Sequence, residues 1–334
     1  MMAMMMTPLT SALWNASKDR LRTVKLDSDE FHYVRIDESS NIPSYCGVDS
    51  SGLLFLAFRC SRRPQIPEVN LSSFDSFTSQ RPDKTWLYIL RLVDYKLVSV
   101  FDALCIDLVN EVSESQNEDD FARILKRRVK LWQKLFANSD DGLLTRSQII
   151  GLIGELLFLI DLIQTDGIPL GMAISAWQGP YGADQDFILN NSAVEIKTNR
   201  DDIDQISISS LEQLNTDRFS NIRLVSFGYR DVAQGDINGV SLNSLTAKVA
   251  ALCVKDPLLL REFNTALLEV GYVFNESYDH TSISIVRKDA YDIADNFPRI
   301  TPANVEVGVT EVKYKISLPF IASFKLTQYP YGKQ

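Results

Sequence analysis

From residue 146 to 164 the chain reads RSQIIGLIGELLFLIDLIQ, apolar on nearly every side of a helix. Such a helix has to be wrapped by other elements, so the fold must be layered around it. Its middle nevertheless carries a carboxylate, Glu155. Burying an ionised acid is expensive unless a metal, a proton or a cation compensates it. The helix therefore constrains chemistry as well as architecture. The apolar run 151–163 is broken by two acids and is shorter than the roughly 20 residues that span a bilayer, so a core helix without membrane association is expected.

The residues that follow supply candidates to compensate it. WQGPYGADQ (177–185) holds the Gly and Pro of a sharp loop. Two strands are expected next, over 186–190 and 193–198, joined by a polar turn of hairpin length. Successive strand residues alternate faces, so Glu195 and Lys197 point one way and Ile196 the other. The hairpin brings Asp186 beside Glu195. Hydrolysis of a phosphodiester with Mg²⁺ needs a few hard oxygen ligands on rigid elements, with room left for water and phosphate. Asp186, Glu195 and the Ile196 carbonyl can supply those ligands. Lys197 can orient the attacking water, and Glu155 can reach the same centre directly or through water.

A (D/E)-x-K tripeptide alone selects nothing, because Asp94-Tyr95-Lys96 and Glu311-Val312-Lys313 have the same form. Neither rival has an acid-bearing apolar helix before it. Glu311 and Lys313 alternate with apolar residues as on a solvated strand face, and Asp94 lies in a long hydrophobic run. The assignment goes to 186–197, with Asp184 as an alternative to Asp186.

The rest of the chain narrows the class. Only His32 and His280 are present, without ligand-spaced partners, and the four cysteines form no CxxC pair. A zinc centre and a disulfide scaffold are both disfavoured. A net charge of −9 counts against a basic coat for nucleic acid unless the cations are clustered. One cluster exists: Arg123, Arg127, Lys130 and Lys134 recur on one side of a helix expected over 121–136, opposite Phe121, Leu125, Trp132 and Phe136. A solvated face is the simpler reading of that stripe, and a phosphate-contacting surface the sharper one. Asn117 and the three acids after it form a suitable helix start.

Residues 1–115 are expected to form a β-rich module, and 116–334 a second domain with a β-rich C-terminal extension. Within the second, a strand is expected over 203–210, a helix over 211–219, a strand over 222–229, two helices beyond it, and β-like runs at 282–287, 305–309 and 311–327. The opening MMAMMMTPLT lacks the pattern of a signal peptide, which makes the cytoplasm the expected compartment.

The order of helix glutamate, strand aspartate and strand Glu-x-Lys resembles the PD-(D/E)XK nuclease superfamily. More narrowly, IIGLIGELLFL, W-x-GP with the later DF, VEIKT and ISISSLEQL resemble the "PD-(D/E)XK motif protein" family of prokaryotic anti-phage defence clusters. The resemblance implies an α/β (α+β) fold with a restriction-endonuclease-like core, a mixed central sheet flanked by helices. It implies Mg²⁺, replaceable by Mn²⁺, and DNA as substrate. It also implies protein partners from the same cluster, of ATPase or helicase-like type. By position it makes Asp186 and Glu195 metal ligands, Lys197 the water-positioning group and Glu155 the helix acid. Gln213 takes the place of the glutamine that follows the lysine strand in the RecB-like branch. One departure is plain: Pro180 and Asp186 are not adjacent, and Asp184 stands between them.

Overall fold

The computed structural model describes residues 31–36, 41–137 and 143–327. The chain divides into two compact units, residues 1–143 and 144–334. The opening methionine-rich segment lies outside the described residues, as does Ser139-Asp140-Asp141-Gly142, whose composition predicts a turn.

The first unit is built on a five-stranded antiparallel sheet with strand order β1-β2-β3-β5-β4. Its strands are β1 (Phe31–Arg35), β2 (Ser44–Asp49), β3 (Leu54–Cys60), β4 (Phe74–Gln80) and β5 (Trp86–Leu92). The long run after Thr85 is thus a strand followed by a helix, α1 (Val98–Ser113). Asp94, the first rival acid, caps a short 3-10 turn by accepting from Lys96 N at 3.0 Å. Helix α2 (Glu118–Ala137) starts at Asn117, whose side chain accepts from Asp119 N at 3.1 Å and Asp120 N at 2.9 Å. Phe121 packs its ring 5.4 Å from Phe58, and Phe136 lies 4.9 Å from Phe74. The helix therefore belongs to the first unit. The boundary expected at 115/116 places it in the second, because a charged, amphipathic helix does not announce which apolar surface it covers. Cys46, Cys60, Cys105 and Cys253 are buried thiols, and burial pushes those of Cys46 and Cys60 up to about 12.

The second unit begins with α3 (Arg146–Gln164), capped by a reciprocal pair between Thr145 and Gln148. By length and composition α3 could cross a membrane, but more than half of its apolar window is buried inside the fold. It lies against a four-stranded mixed sheet of order β10-β9-β7-β6. The strands are β6 (Phe187–Leu189), β7 (Ser192–Arg200), β9 (Asn221–Asp231) and β10 (Ile283–Asp292). β6 and β7 run antiparallel, β7 and β9 parallel, and β9 and β10 antiparallel with a bulge between Ile285 and Arg287. A mixed sheet with helices packed on it is the restriction-endonuclease-like architecture expected.

Helix α4 (Leu170–Ala176) leads into the Trp177 loop, while α5 (Leu242–Cys253) packs beside α3 and is followed by α6 (Pro257–Glu269). On the other face of the sheet a two-stranded ribbon, β8 (Gln205–Ile208) with β11 (Tyr314–Ser317), closes a core of Ala193, Ile206, Ile208, Leu224, Tyr291 and Ile316. Two expectations fail here. Residues 211–219 form two short 3-10 turns rather than a helix, since Asn215 is extended (ψ 118°) and its side chain caps the second turn. No strand forms over 305–309, and of 311–327 only Tyr314–Ser317 forms a strand, followed by a 3-10 segment and a single bridge from Lys325 to Tyr291.

Candidate active site

The hairpin sets the site. Asn190 takes the left-handed conformation (φ 54°), which asparagine tolerates better than most residues, and β6 turns directly into β7. With Phe187 opposite Val194, the pairing continued by one step puts Asp186 opposite Glu195. Asp186 lies just outside β6, so its carboxylate fills the place where a further ladder bond would form: Oδ2 accepts from Ile196 N at 2.7 Å. A strand residue directs its N–H and its carbonyl to the same edge, so the Ile196 carbonyl faces this edge too.

Glu155 arrives from the opposite face of the sheet. Gly154, its neighbour on α3, lies so close to β7 that a Cβ there would stand 1.9 Å from Thr198 Oγ1 and 3.3 Å from Ile196 Cγ2. The missing side chain seats the helix on the strand and carries Glu155 to the sheet edge. Gly151 has no such neighbour, so only one of the two helix glycines is needed for close approach. Glu155 Oε2 accepts from Trp177 Nε1 at 2.7 Å. Beyond Trp177, the N–H groups of Gln178 and Gly179 donate to the Asp186 carbonyl at 2.8 and 2.9 Å. A Cβ on Gly179 would meet Asp186 Oδ1 at 3.2 Å and Glu155 Oε2 at 3.4 Å, so the two carboxylates converge on this loop. Pro180, distant from Asp186 in sequence, is buried in the same turn.

Glu195 is 1% exposed. Lys197 Nζ binds its Oε1 at 2.6 Å, while Oε2 is buried and has no hydrogen-bond partner. Lys197 Nζ also lies 3.5 Å from Gln213 Oε1, which is fixed by Ser209 N at 2.9 Å and Ser209 Oγ at 3.1 Å. All five residues expected at the site, Glu155, Asp186, Glu195, Lys197 and Gln213, are thus brought together.

The electrostatics match this crowding. Burial and the Asp186 charge beside it push Glu155 up to about 8, against which the Trp177 hydrogen bond and Lys197 act. Burial, then Asp186, hold Glu195 well above the usual carboxylate range despite Lys197. Asp186 is raised by burial and lowered again by the Ile196 N–H and Lys197. One ammonium faces three carboxylates, an arrangement short of positive charge.

Asp184, the alternative ligand, is on the surface and pairs with Arg218 at 3.4 Å. Lys313 and Glu311 form an exposed pair at 2.5 Å. Two contributors were missed by sequence reasoning. Gln185 is buried and donates to the Glu212 carbonyl at 2.6 Å, tying the turn that carries Gln213 to the Asp186 loop. Trp177 was noted only as part of a loop motif, though its donor beside a run containing acids was a usable signal. Gln185 offered none.

A family model described as "Putative PD-(D/E)XK family member, (DUF4420)" matches residues 11–319. The chain belongs to this family. No curated protein and no solved structure matches it. The PD-(D/E)XK family match covers both units, so the first is part of the family's architecture and not an unrelated addition.

The residues present fit a divalent cation. Among the described residues no three His, Cys, Asp or Glu side chains gather tightly enough to hold a metal by themselves. Mg²⁺ does not require that, since it is commonly held by one or two carboxylates while keeping several waters. The unpartnered Glu195 Oε2 beside Asp186 is the observation that favours a cation, because a buried carboxylate oxygen left bare is costly.

Proposed function

We propose that this protein is a metal-dependent DNA endonuclease. The reading is carried by Glu195: buried, bonded on one oxygen to Lys197 and bare on the other, next to Asp186. Asp186, Glu195 and the Ile196 carbonyl would hold Mg²⁺, with Glu155 acting through water. A bound cation supplies neutralisation of charge on the phosphodiester and a water of lowered pKa.

The chain's own residues do the rest. Lys197, held by Glu195 and Gln213, keeps its ammonium beside the acids, where it orients water and offsets charge on the phosphate oxygens. The Ile196 N–H fixes Asp186 on one oxygen and leaves the other to the centre. Trp177 positions Glu155 through its indole N–H, and the buried Pro180 anchors the turn that follows. A role in a defence system and a partnership with an ATPase or helicase-like protein rest on the family resemblance.

The test is cleavage of plasmid, linear and single-stranded DNA with Mn²⁺. Asp186→Ala and Lys197→Ala should each abolish cutting, whereas Asp184→Asn should leave it within about two-fold, since Asp184 holds only a surface ion pair. Robust cutting by the first two variants would sink the assignment. A second reading, a DNA-binding or scaffolding subunit with a nuclease-like fold, draws on the loose spacing of the acids and the overall acidity. Calorimetric titration with Mn²⁺ separates the two, because a scaffold has no binding that depends on Glu195.

A further inference from the structure

We propose that the solvent face of α2 is a docking surface for the sugar–phosphate backbone of duplex DNA. The identity of the polyanion rests on the nuclease reading; the surface itself rests on charge geometry. Six of the chain's 34 basic residues fall between positions 123 and 134, and no acid occurs from 121 to 137. Helix geometry turns by about 100° per residue. On that wheel Arg123, Lys126, Arg127, Lys130 and Lys134 lie within about 100° of the circumference, opposite the buried Phe121, Leu125 and Trp132.

The sixth cation shows what a structural arginine looks like here. Arg128 lies off the stripe, is 3% exposed on its side chain, and is bound to Asp107 and Glu111. The stripe residues differ. Arg123 and Arg127 are 71% and 67% exposed on their side chains, the first touching Asp120 and the second lying 3.8 Å from Glu111. Lys126, Lys130 and Lys134 are exposed. A solvated helix face needs only scattered or mixed charge. Here a chain of net charge −9 concentrates one sign along three turns; Asp120 and Glu111 offset part of the resulting self-repulsion, and a polyanion laid along the stripe would offset it over its whole length.

The stripe from Arg123 to Lys134 runs about 16 Å along the helix axis. That length of duplex carries about ten phosphate charges, ample for five cations. Duplex DNA presents such a line of charge at every position along its length, which favours it over an acidic protein as the occupant.

The test is the salt dependence of duplex binding, followed by fluorescence anisotropy in EDTA between about 50 and 250 mM salt, for the full chain and for the combined variant Lys126→Gln, Lys130→Gln, Lys134→Gln. Gln and Lys have nearly equal helix propensity, so α2 should be retained, and an unchanged Tm checks this. Each lost phosphate contact lowers the slope of log K against log salt by about 0.9, so a fall of between about 2 and 3 is expected, with affinity at least about ten-fold weaker at low salt. Equal slopes for the two proteins would overturn the proposal. So would failure of the unaltered chain to bind duplex, or a slope change confined to single strands. Because the assay is metal-free, a chain that binds through this face but cuts nothing would refute the nuclease reading alone.

Discussion

Replacing Gly154 by alanine should disturb the contact on which the site depends. The new Cβ would stand 1.9 Å from Thr198 Oγ1, 3.2 Å from Thr198 Cβ and 3.3 Å from Ile196 Cγ2. The Thr198 hydroxyl has no hydrogen-bond partner to lose, so it can rotate. The two carbons are anchored to β7 and cannot, so strand and helix must separate by a few tenths of an ångström. Overpacking of this kind costs about 1–3 kcal/mol. An alanine inside a helix returns about 1 kcal/mol relative to glycine. The net loss is about 1 kcal/mol, equivalent to about 2–4 °C in Tm for a unit of this size. The sharper quantity is the coupling with Thr198→Ala, which removes the colliding hydroxyl and methyl. Urea unfolding of the two single variants and the double variant should give a coupling of at least about 1 kcal/mol, the double being more stable than additivity allows. A coupling below about 0.3 kcal/mol, or a Gly154→Ala chain more stable than the parent, would refute close packing of α3 on β7. Because β7 carries Glu195 and Lys197, cleavage should fall in Gly154→Ala and recover in the double variant.

Glu155 has a folded-state pKa of about 8 against an ordinary value of 4.5, so the folded chain holds more protons than the unfolded one between those values. Without metal, stability should therefore fall as pH rises from about 4.5 to about 8. Glu155→Gln, which keeps an acceptor for Trp177, should flatten that fall and gain on the order of 2–4 kcal/mol near its upper end; a parent chain that becomes more stable over this range of pH contradicts the buried-acid account. Gln185→Leu removes the tie to the Glu212 carbonyl and frees the turn that holds Gln213. Cutting should drop roughly ten-fold, the worth of one buried hydrogen bond, with Mn²⁺ affinity retained; a loss of metal binding would mean that Gln185 supports the ligands instead.

The helix acid, the hairpin and Lys197 were legible in the sequence because each rests on local periodicity. An all-apolar helix with one acid is anomalous by itself, and a strand with period two sets Glu195 and Lys197 on one face whatever surrounds it. Gln213 was placed by resemblance, and the structure reaches it through a 3-10 turn where a helix was expected. The run 305–309 misled because alternating apolar residues look like a strand even where no neighbour is available to pair with.

Short-range pattern is enough to specify the apolar helix α3, the hairpin, the amphipathic α2 and the order of acids and lysine along the chain. Tertiary structure alone decided what those elements meet. It set Asp186 opposite Glu195 and placed Asp184 against Arg218 on the surface. It assigned α2 to the first unit through Phe58 and Phe74. It left Glu195 Oε2 bare and made Gln185 a tie between two loops. Such outcomes depend on residues far apart in the chain arriving within a few ångströms of each other, and periodicity along one strand or helix carries no information about distances of that kind.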